Sequence, residues 1–231
     1  MKVSIIVPTL NEAENIEKLV ERLTAGGKNH IADLIVVDGG SSDRTQAIAT
    51  AAGAKVVQTR PGRACQMNYG AEISTGHVLY FVHGDTLPPL NYMDHILEAV
   101  TEGHPIGCFR FRFDSDKFLL RVNSYFTRFN KMWCRGGDQS LFITREAFAA
   151  LGGYRDDYRI MEDYDLMIRA RKIYPFKVIP DDVIVSARKY ETNSYLRVQI
   201  ANLIVFNMFR LGYSQERMAK AYKWMLNYRY E

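Results

Sequence analysis

Cysteine is scarce in this 231-residue chain: Cys65, Cys108 and Cys134 are odd in number, far apart and without a CxxC spacing. That excludes a disulfide framework or a cysteine zinc site and predicts reduced thiols in or near the core. No run approaches the roughly twenty consecutive apolar residues that span a bilayer. The N-terminus, MKVSIIVPTLNEAEN, turns polar and acidic straight after Pro8, unlike a secretory leader. A reducing cytoplasm is the expected location. The turn after the first apolar run, PTLNEAEN, has no glycine and carries two acids, so GxGxxG is missing and a dinucleotide cofactor or a triphosphate bound there is disfavoured. Internal repeats and low-complexity tracts are also lacking. Charge of one sign is in excess only at the end: from Arg188 onward there are eight Lys and Arg against three Glu, whereas the preceding part holds 22 basic and 23 acidic residues. No nucleic-acid motif accompanies this bias, and nucleic acid is not expected as a partner.

What is present is an ordinary soluble-protein composition, 47% hydrophobic and 24% charged. VSIIVP, DLIVVD, AKVVQT and HVLYFVH are short, nearly continuous apolar runs, as expected of parallel strands covered on both faces. Helices are predicted between them over 11–23, where Asn11 and Glu14 make a capping box, over 43–52 and over 64–74. This order predicts an α/β fold with a mostly parallel central sheet flanked by helices. The second half is more mixed. IGCFRFRF reads as a strand with Arg110 and Arg112 on one face, followed by a helix over 118–131 and a strand, QSLFIT. REAFAALGGY is a short helix, EDYDLMIRARKI an amphipathic one, and FKVIP and VIVSAR read as two closing strands. From Arg188 the pattern is helical, in two segments broken near Gly212. The expected division is a catalytic domain over 1–188 and a helical extension over 189–231 packed on the domain, on a partner subunit or on a membrane surface.

In an open parallel sheet the ligand crevice lies beyond the carboxyl ends of the strands. The residues at that rim are Pro8, Thr9, Asn11 and Glu12 after the first strand, DGGSSD with Asp38 and Gly40 after the second, Arg60 and Arg63 after the third, and Asp85 after the fourth. Each one alone is an ordinary turn or cap residue. Four successive strands delivering polar groups to one edge form a candidate site. Ionised Asp38 accepts hydrogen bonds only, which suits the imide N–H of uracil. Arg60 and Arg63 offer fixed positive charge to a diphosphate, and Asp85 can hold Mg²⁺ or Mn²⁺ through oxygen.

PTLNE, VDGGSSD, the acid ending the fourth strand and MEDYDL, in this order and spacing, resemble glycosyltransferase family 2, the nucleotide-sugar-dependent transferases with a GT-A fold. The likeness covers residues 1–188. RxxQMNxG, Arg63 to Gly70 with Asn68 inside it, and the helical C-terminus are similar to a short bacterial branch described as arsenosugar-biosynthesis or radical-SAM/selenodomain-associated glycosyltransferases. The resemblance implies an inverting transfer from a nucleotide diphosphate sugar, UDP-sugar favoured, to a hydroxyl acceptor, with a divalent cation. Where the family carries Asp-x-Asp this chain has HGD, so Gly84 and Asp85 match, Asp85 is the metal ligand and His83 stands in for the first acid as a further candidate. No histidine follows in VSARKY.

Glu162 and Asp163 open a helix, where the macrodipole favours ionised acids and adjacent carboxylates raise one another's pKa. By resemblance Asp163 is the base and Glu162 its neighbour; acids enriching a first helical turn are the alternative. Gly137, Asp138 and Gln139 of GGDQS are candidate acceptor contacts or merely a turn, and Trp133 is a candidate for sugar stacking or for the core. A sugar nucleotidyltransferase and a non-catalytic nucleotide-sugar binder are the rival classes. The first lacks its glycine-rich basic loop here, and the second has no use for Glu162 and Asp163. Ile200 to Phe209 followed by the basic, aromatic MAKAYKWMLNYRY admits packing on the domain, self-association, or a peripheral contact with the inner face of the membrane through Lys220, Lys223 and Trp224.

Overall fold

Val3, Ile5 and Val7 point to one side of the first strand and Ile6 to the other, and this two-residue period divides the molecule into two apolar layers. The structure is a computed structural model in which residues 1–227 are described. Its strands are β1 (Val3–Thr9), β2 (Ile31–Asp38), β3 (Lys55–Gln58), β4 (Val78–Phe81), β5 (Thr86–Leu87), β6 (Ile106–Phe113), β7 (Leu141–Thr144) and β8 (Phe176–Val185). Its helices are α1 (Ile16–Gly27), α2 (Thr45–Ala51), α3 (Arg63–Glu72), α4 (Tyr92–Thr101), α5 (Phe118–Phe126), α6 (Arg145–Ala150), α7 (Glu162–Ala170), α8 (Lys189–Thr192), α9 (Tyr195–Arg210) and α10 (Gln215–Met225). The strands form one sheet in the order β3-β2-β1-β4-β7-β6-β8-β5. β7 runs antiparallel to both its neighbours and β5 antiparallel to β8; the other pairs are parallel, so the expected mostly parallel α/β sheet is what forms.

On one face, Val78, Tyr80 and Val82 meet Ile16, Leu19 and Leu23 of α1 and Tyr92 and Ile96 of α4. On the other, Leu79 and Phe81 meet Met67 of α3, Phe148 of α6 and Leu166 of α7. Each such large side chain taken wholly out of water contributes about 1.5–3 kcal/mol. Burial on both faces is why these strands read as continuous apolar runs.

Several boundaries differ from those predicted, each for a physical reason. α1 starts at Ile16, because Asn11 is not a cap. It sits at φ +54°, donates its N–H to Ser41 Oγ (2.8 Å) and accepts Ser42 N–H at Oδ1 (2.9 Å), tying the first rim loop to the second. The helix predicted over 118–131 ends at Phe126, after which Arg135 Nη2 takes the carbonyls of Thr127 and Phe129. FKVIP and VIVSAR are one strand, β8. Phe109 pairs with Ile179 and Arg110 with Asp182, so Pro180 and Asp181 form a bulge where the missing proline N–H costs no ladder bond.

The helical extension packs on the domain. Tyr190 lies edge-on to Phe113 (5.3 Å), Phe206 to Tyr164 (5.6 Å), and Gln215 Oε1 accepts the N–H groups of Arg159 (3.1 Å) and Ile160 (3.2 Å). The last residues of MAKAYKWMLNYRY lie outside the described residues. Among the described residues no helix is long and apolar enough to cross a membrane. Cys65, Cys108 and Cys134 are free thiols, the latter two buried.

Arg145 fixes the turn between α3 and β4 by donating to Gly76 O (2.7 Å), Ala71 O (3.0 Å) and Ser74 Oγ (2.7 Å). Arg145→Met is expected to lower stability by about 2–3 kcal/mol, because three charge-assisted bonds are lost together; urea unfolding measures this.

Candidate active site

The parallel register sets Thr9 beside Asp38 and Asp38 beside Gln58, so the loops after β1 and β2 and the segment after β3 leave from one edge. Two more segments reach this edge because of strand direction. β7 is antiparallel to β4, with Leu141 opposite Phe81, so the residues that precede β7 arrive beside those that follow β4. Gly137 to Gln139 therefore meet His83. β8 points the same way as β4, and Arg188, three residues past its end, arrives there too.

Asp163 is the centre of this arrangement. Its Oδ2 stands 4.0 Å from His83 Nε2, and His83 Nδ1 stands 3.7 Å from Asp138 Oδ1. A Cβ built on Gly137 would lie 2.2 Å from Asp163 Oδ2 and 2.7 Å from His83 Cε1, so only glycine fits at that place. Glu162 is buried with Arg63 Nε 2.8 Å from its Oε1, while neither of its carboxylate oxygens receives a well-directed hydrogen bond. Burial, and next the Glu162 charge, push the Asp163 carboxyl up to about 7, with Arg63 opposing. Burial and then Arg63 push His83 below the usual imidazole range, which favours the neutral ring. The third acid of MEDYDL, Asp165, is held by Arg169 (2.7 Å) and Arg155 (3.5 Å).

A second group of charges surrounds Arg188. It donates through both terminal nitrogens to Glu12, with Nη1 2.9 Å from Oε2, and Nη2 is 3.3 Å from Asp85 Oδ2. Burial and then the Asp138 charge raise the Asp85 carboxyl to about 6, with Arg188 opposing. A divalent cation was expected here. Asp85 is pressed by burial and by the charges of Asp138 and Glu12, so hard positive charge is what it lacks, and the residues fit. Among the described residues no group of three or more His, Cys, Asp or Glu side chains is gathered for a metal. An ion such as Mg²⁺ takes one or two carboxylates and completes its shell with phosphate oxygens and water. His83 is engaged differently: its ring nitrogens contact Asp138 and Asp163. Beside Gly84 and Asp85 a cavity of about 760 Å³ opens, also lined by Arg110, Arg112, Arg121 and Asp182.

Other predicted residues have a different place. Asp38 is fully buried, and its Oδ1 accepts from Gly40 N–H (2.9 Å), Ser41 N–H (2.8 Å) and Gln46 Nε2 (2.9 Å), while Oδ2 faces Ser41 Oγ and Thr9 Oγ1. This carboxylate shapes its own loop, and Gly40 supplies the φ of +96° that the loop requires. Asn68 also changes role. It donates to Tyr154 O (2.8 Å) and Asp156 Oδ1 (2.7 Å) and accepts Tyr154 N–H (2.9 Å), clamping α3 to the segment before α7. Arg60 is exposed, its Nε 3.2 Å from Cys65 Sγ, and of the two loop arginines it is Arg63 that reaches the buried acids. Pro8 is buried in β1, and Gln139 is buried with Nε2 on Phe109 O (3.2 Å), which makes it a support of the loop. Trp133 is exposed, so it is not part of the core.

Two residues escaped the sequence. Arg188 stands beyond the last parallel strand and satisfies the same rim rule that picked out Asp85. Tyr154 is buried beside the acids, and burial followed by the charges of Asp163 and Glu162 pushes its hydroxyl well up; no motif marks it. Met161 (φ +67°) and Ser140 (φ +51°), the residues immediately before α7 and β7, occupy the left-handed region at a cost of about 1–2 kcal/mol each. Such strain gathers where a chain must aim neighbouring groups.

The family model for glycosyl transferase family 2 matches residues 4–151, more than half of the chain. The chain belongs to this family. Glucosyl-3-phosphoglycerate synthase of Mycolicibacterium smegmatis is 34% identical over 96 residues, 38% of this chain and 32% of that protein, so the chain spans about a third of that relative within the match. A PGL/p-HBAD biosynthesis glycosyltransferase of Mycobacterium bovis is 29% identical over 190 residues, 72% of this chain and 68% of the relative. Among solved structures, Mycobacterium tuberculosis glucosyl-3-phosphoglycerate synthase with Mn²⁺, UDP and glucosyl-3-phosphoglycerate superposes with a TM-score of 0.64 at 19% identity, covering 92% of this chain and 80% of that one. The fold is therefore GT-A. The family match stops before α7, so the roles of Glu162 and Asp163 rest on their geometry.

Gly137→Ala is expected to lower turnover by about a hundredfold, because a misplacement near 1 Å at a reacting group has that effect. The melting temperature should change little, as the strain falls on a rim loop. Steady-state kinetics beside a thermal melt measures both.

Proposed function

We propose that the chain is an inverting glycosyltransferase that moves a sugar from a nucleotide diphosphate sugar, UDP-sugar favoured, to a hydroxyl acceptor by a single displacement, with Asp163 as the base. One observation carries this reading. Of the three acids of MEDYDL, Glu162 lies against Arg63 and Asp165 against Arg169, while Asp163 faces the His83 ring, which its surroundings hold toward the neutral form, at 4.0 Å. Asp163 is thus the carboxylate left to take a proton. A value near 7 suits a general base at neutral pH, since it accepts a proton readily while a substantial share of it is ionised. A double displacement needs a second carboxylate free to attack, and the two neighbours are held by arginines.

Asp85 would hold the divalent cation, Mn²⁺ or Mg²⁺, which when bound supplies positive charge against the departing diphosphate. Arg188 keeps Asp85 and Glu12 together at the mouth of the cavity. Glu162 anchors Arg63, whose side chain is half-exposed and available to phosphate oxygens. Gly137 leaves room for Asp163 and His83, and Asp138 is the exposed polar group of that loop for a sugar hydroxyl. The narrower likeness to the arsenosugar-biosynthesis branch rests on Arg63 to Gly70, which here is α3, the helix that sends Arg63 to Glu162 and Asn68 to Tyr154.

Asp163→Asn is expected to lower transfer by about a thousandfold, the scale of a lost general base. UDP affinity, measured by calorimetry with Mn²⁺, should be unchanged; equal loss of both would mean that Asp163 is structural. Transfer by the unaltered protein should rise with pH through about 7, as Asp163 loses its proton. Stability should move the other way. The raised value means that the folded chain keeps a proton the unfolded chain has released, so this contribution is lost as pH rises between the ordinary carboxylate range and about 7. Asp163→Asn should accordingly melt higher than the unaltered protein at pH 8.

A further inference from the structure

Helix α5 buries one residue of its nine, Leu120. Phe118 (74% exposed), Leu119, Val122, Tyr125, Phe126 and Phe129 face outward, and Trp133 (62%) continues the row just beyond. Scattered single apolar residues on a surface need no explanation, but a contiguous aromatic and aliphatic face of this kind marks an interaction site. Its charge says with what. Residues 117–133 contain Lys117, Arg121, Arg128 and Lys131 and no acid. Among the described residues no carboxylate stands within ion-pair distance of these four; Arg128 stacks on the Tyr125 ring at 3.7 Å instead.

We propose that this face seats the protein on an anionic lipid surface, with the rings of Phe118, Tyr125, Phe126 and Trp133 at the headgroup boundary and the four cations on lipid phosphates. Aromatic anchors beside cations on a short helix are the composition of interfacial helices. A second copy of the chain fits less well, because a two-fold interface on this patch would set four cations against four cations with no acid between them. Arg121, Ser124, Tyr125 and Arg128, along one edge of this face, also line the cavity beside Asp85. Docking would therefore bring that cavity to the membrane, where an amphiphilic acceptor could reach it, and this last point rests on the transferase reading. The tail, where the sequence alone sought a membrane contact, is less suited: Lys220 is paired with Glu216 at 2.8 Å, and Asn207 interrupts the exposed apolar row of α9.

Flotation of the full chain with vesicles tests this without donor or acceptor. The protein should float with vesicles of phosphatidylglycerol in phosphatidylcholine, stay behind with phosphatidylcholine alone, and detach as salt rises, since exposed charges are screened. Phe118→Ser with Leu119→Ser should lower the bound fraction about tenfold, as burial of two large apolar side chains is lost. Lys117→Glu with Lys131→Glu should do the same, with the melting temperature and metal-dependent UDP-sugar hydrolysis kept in both variants. Absence of flotation, flotation unaltered in both variants, or a stable dimer by light scattering that α5 substitutions dissociate would overturn the proposal. Flotation without UDP-sugar hydrolysis would leave docking standing and remove the transferase reading, so the two fail separately.

Discussion

Four carboxylates taken largely out of water at one sheet edge, with two guanidinium groups set against them, are what the rest of the site depends on. Removing carboxylates such as Glu12, Asp85, Glu162 and Asp163 from water carries a desolvation cost that nearby positive charge offsets. Arg63 stands against Glu162, and Arg188 bridges Glu12 and Asp85. The distribution is unequal, and that inequality separates supporting acids from reactive ones. Asp163 has the His83 ring, held toward its neutral form, as its neighbour at 4.0 Å, and Asp85 shares its arginine with Glu12. Both have raised values.

Keeping such a group intact requires a rigid rim, and much of the polar chemistry near the site serves that end. Asp38 folds its loop by accepting backbone and side-chain hydrogens at once. Asn11 stitches that loop to the one before it, and Asn68 fixes the segment that enters α7. Gln215, from the helical extension, holds the same segment from the other side through the amides of Arg159 and Ile160. Left-handed backbone at Met161 and Ser140, and a glycine at 137 with no room for a Cβ, are the local costs of bringing Asp163 and His83 together. A site designed around displaced charge gains by this, because donors and acceptors fixed in advance need no reorganisation during reaction.

Legibility in the sequence followed periodicity. The four apolar runs of the first half became β1 to β4, since burial on both faces writes itself as uninterrupted Val and Ile. The closing strand was split at Pro180, because a bulge that accommodates proline depends on the partner strand and leaves no local sign. Asp85, Glu12 and Arg63 were found by asking which residues follow parallel strands. Arg188 obeyed the same rule and was passed over because the last strand was read as ending a domain. The loop contacts of Asp38 and Asn68 leave no mark in the sequence, which gives an acceptor's capacity but not which donors claim it.

The sequence by itself determined the layered α/β architecture, the order of its elements and the set of polar residues delivered to one rim, because hydrophobic period and strand direction are local and additive. Tertiary structure decided which carboxylate is reactive. Glu162, Asp163 and Asp165 are near neighbours in one helical turn and almost equivalent in composition, yet the arginines that tell them apart come from α3 and from α7 itself, and the histidine from the loop after β4. Electrostatic identity at such short range is set by distance and desolvation, and neither is written in the order of residues.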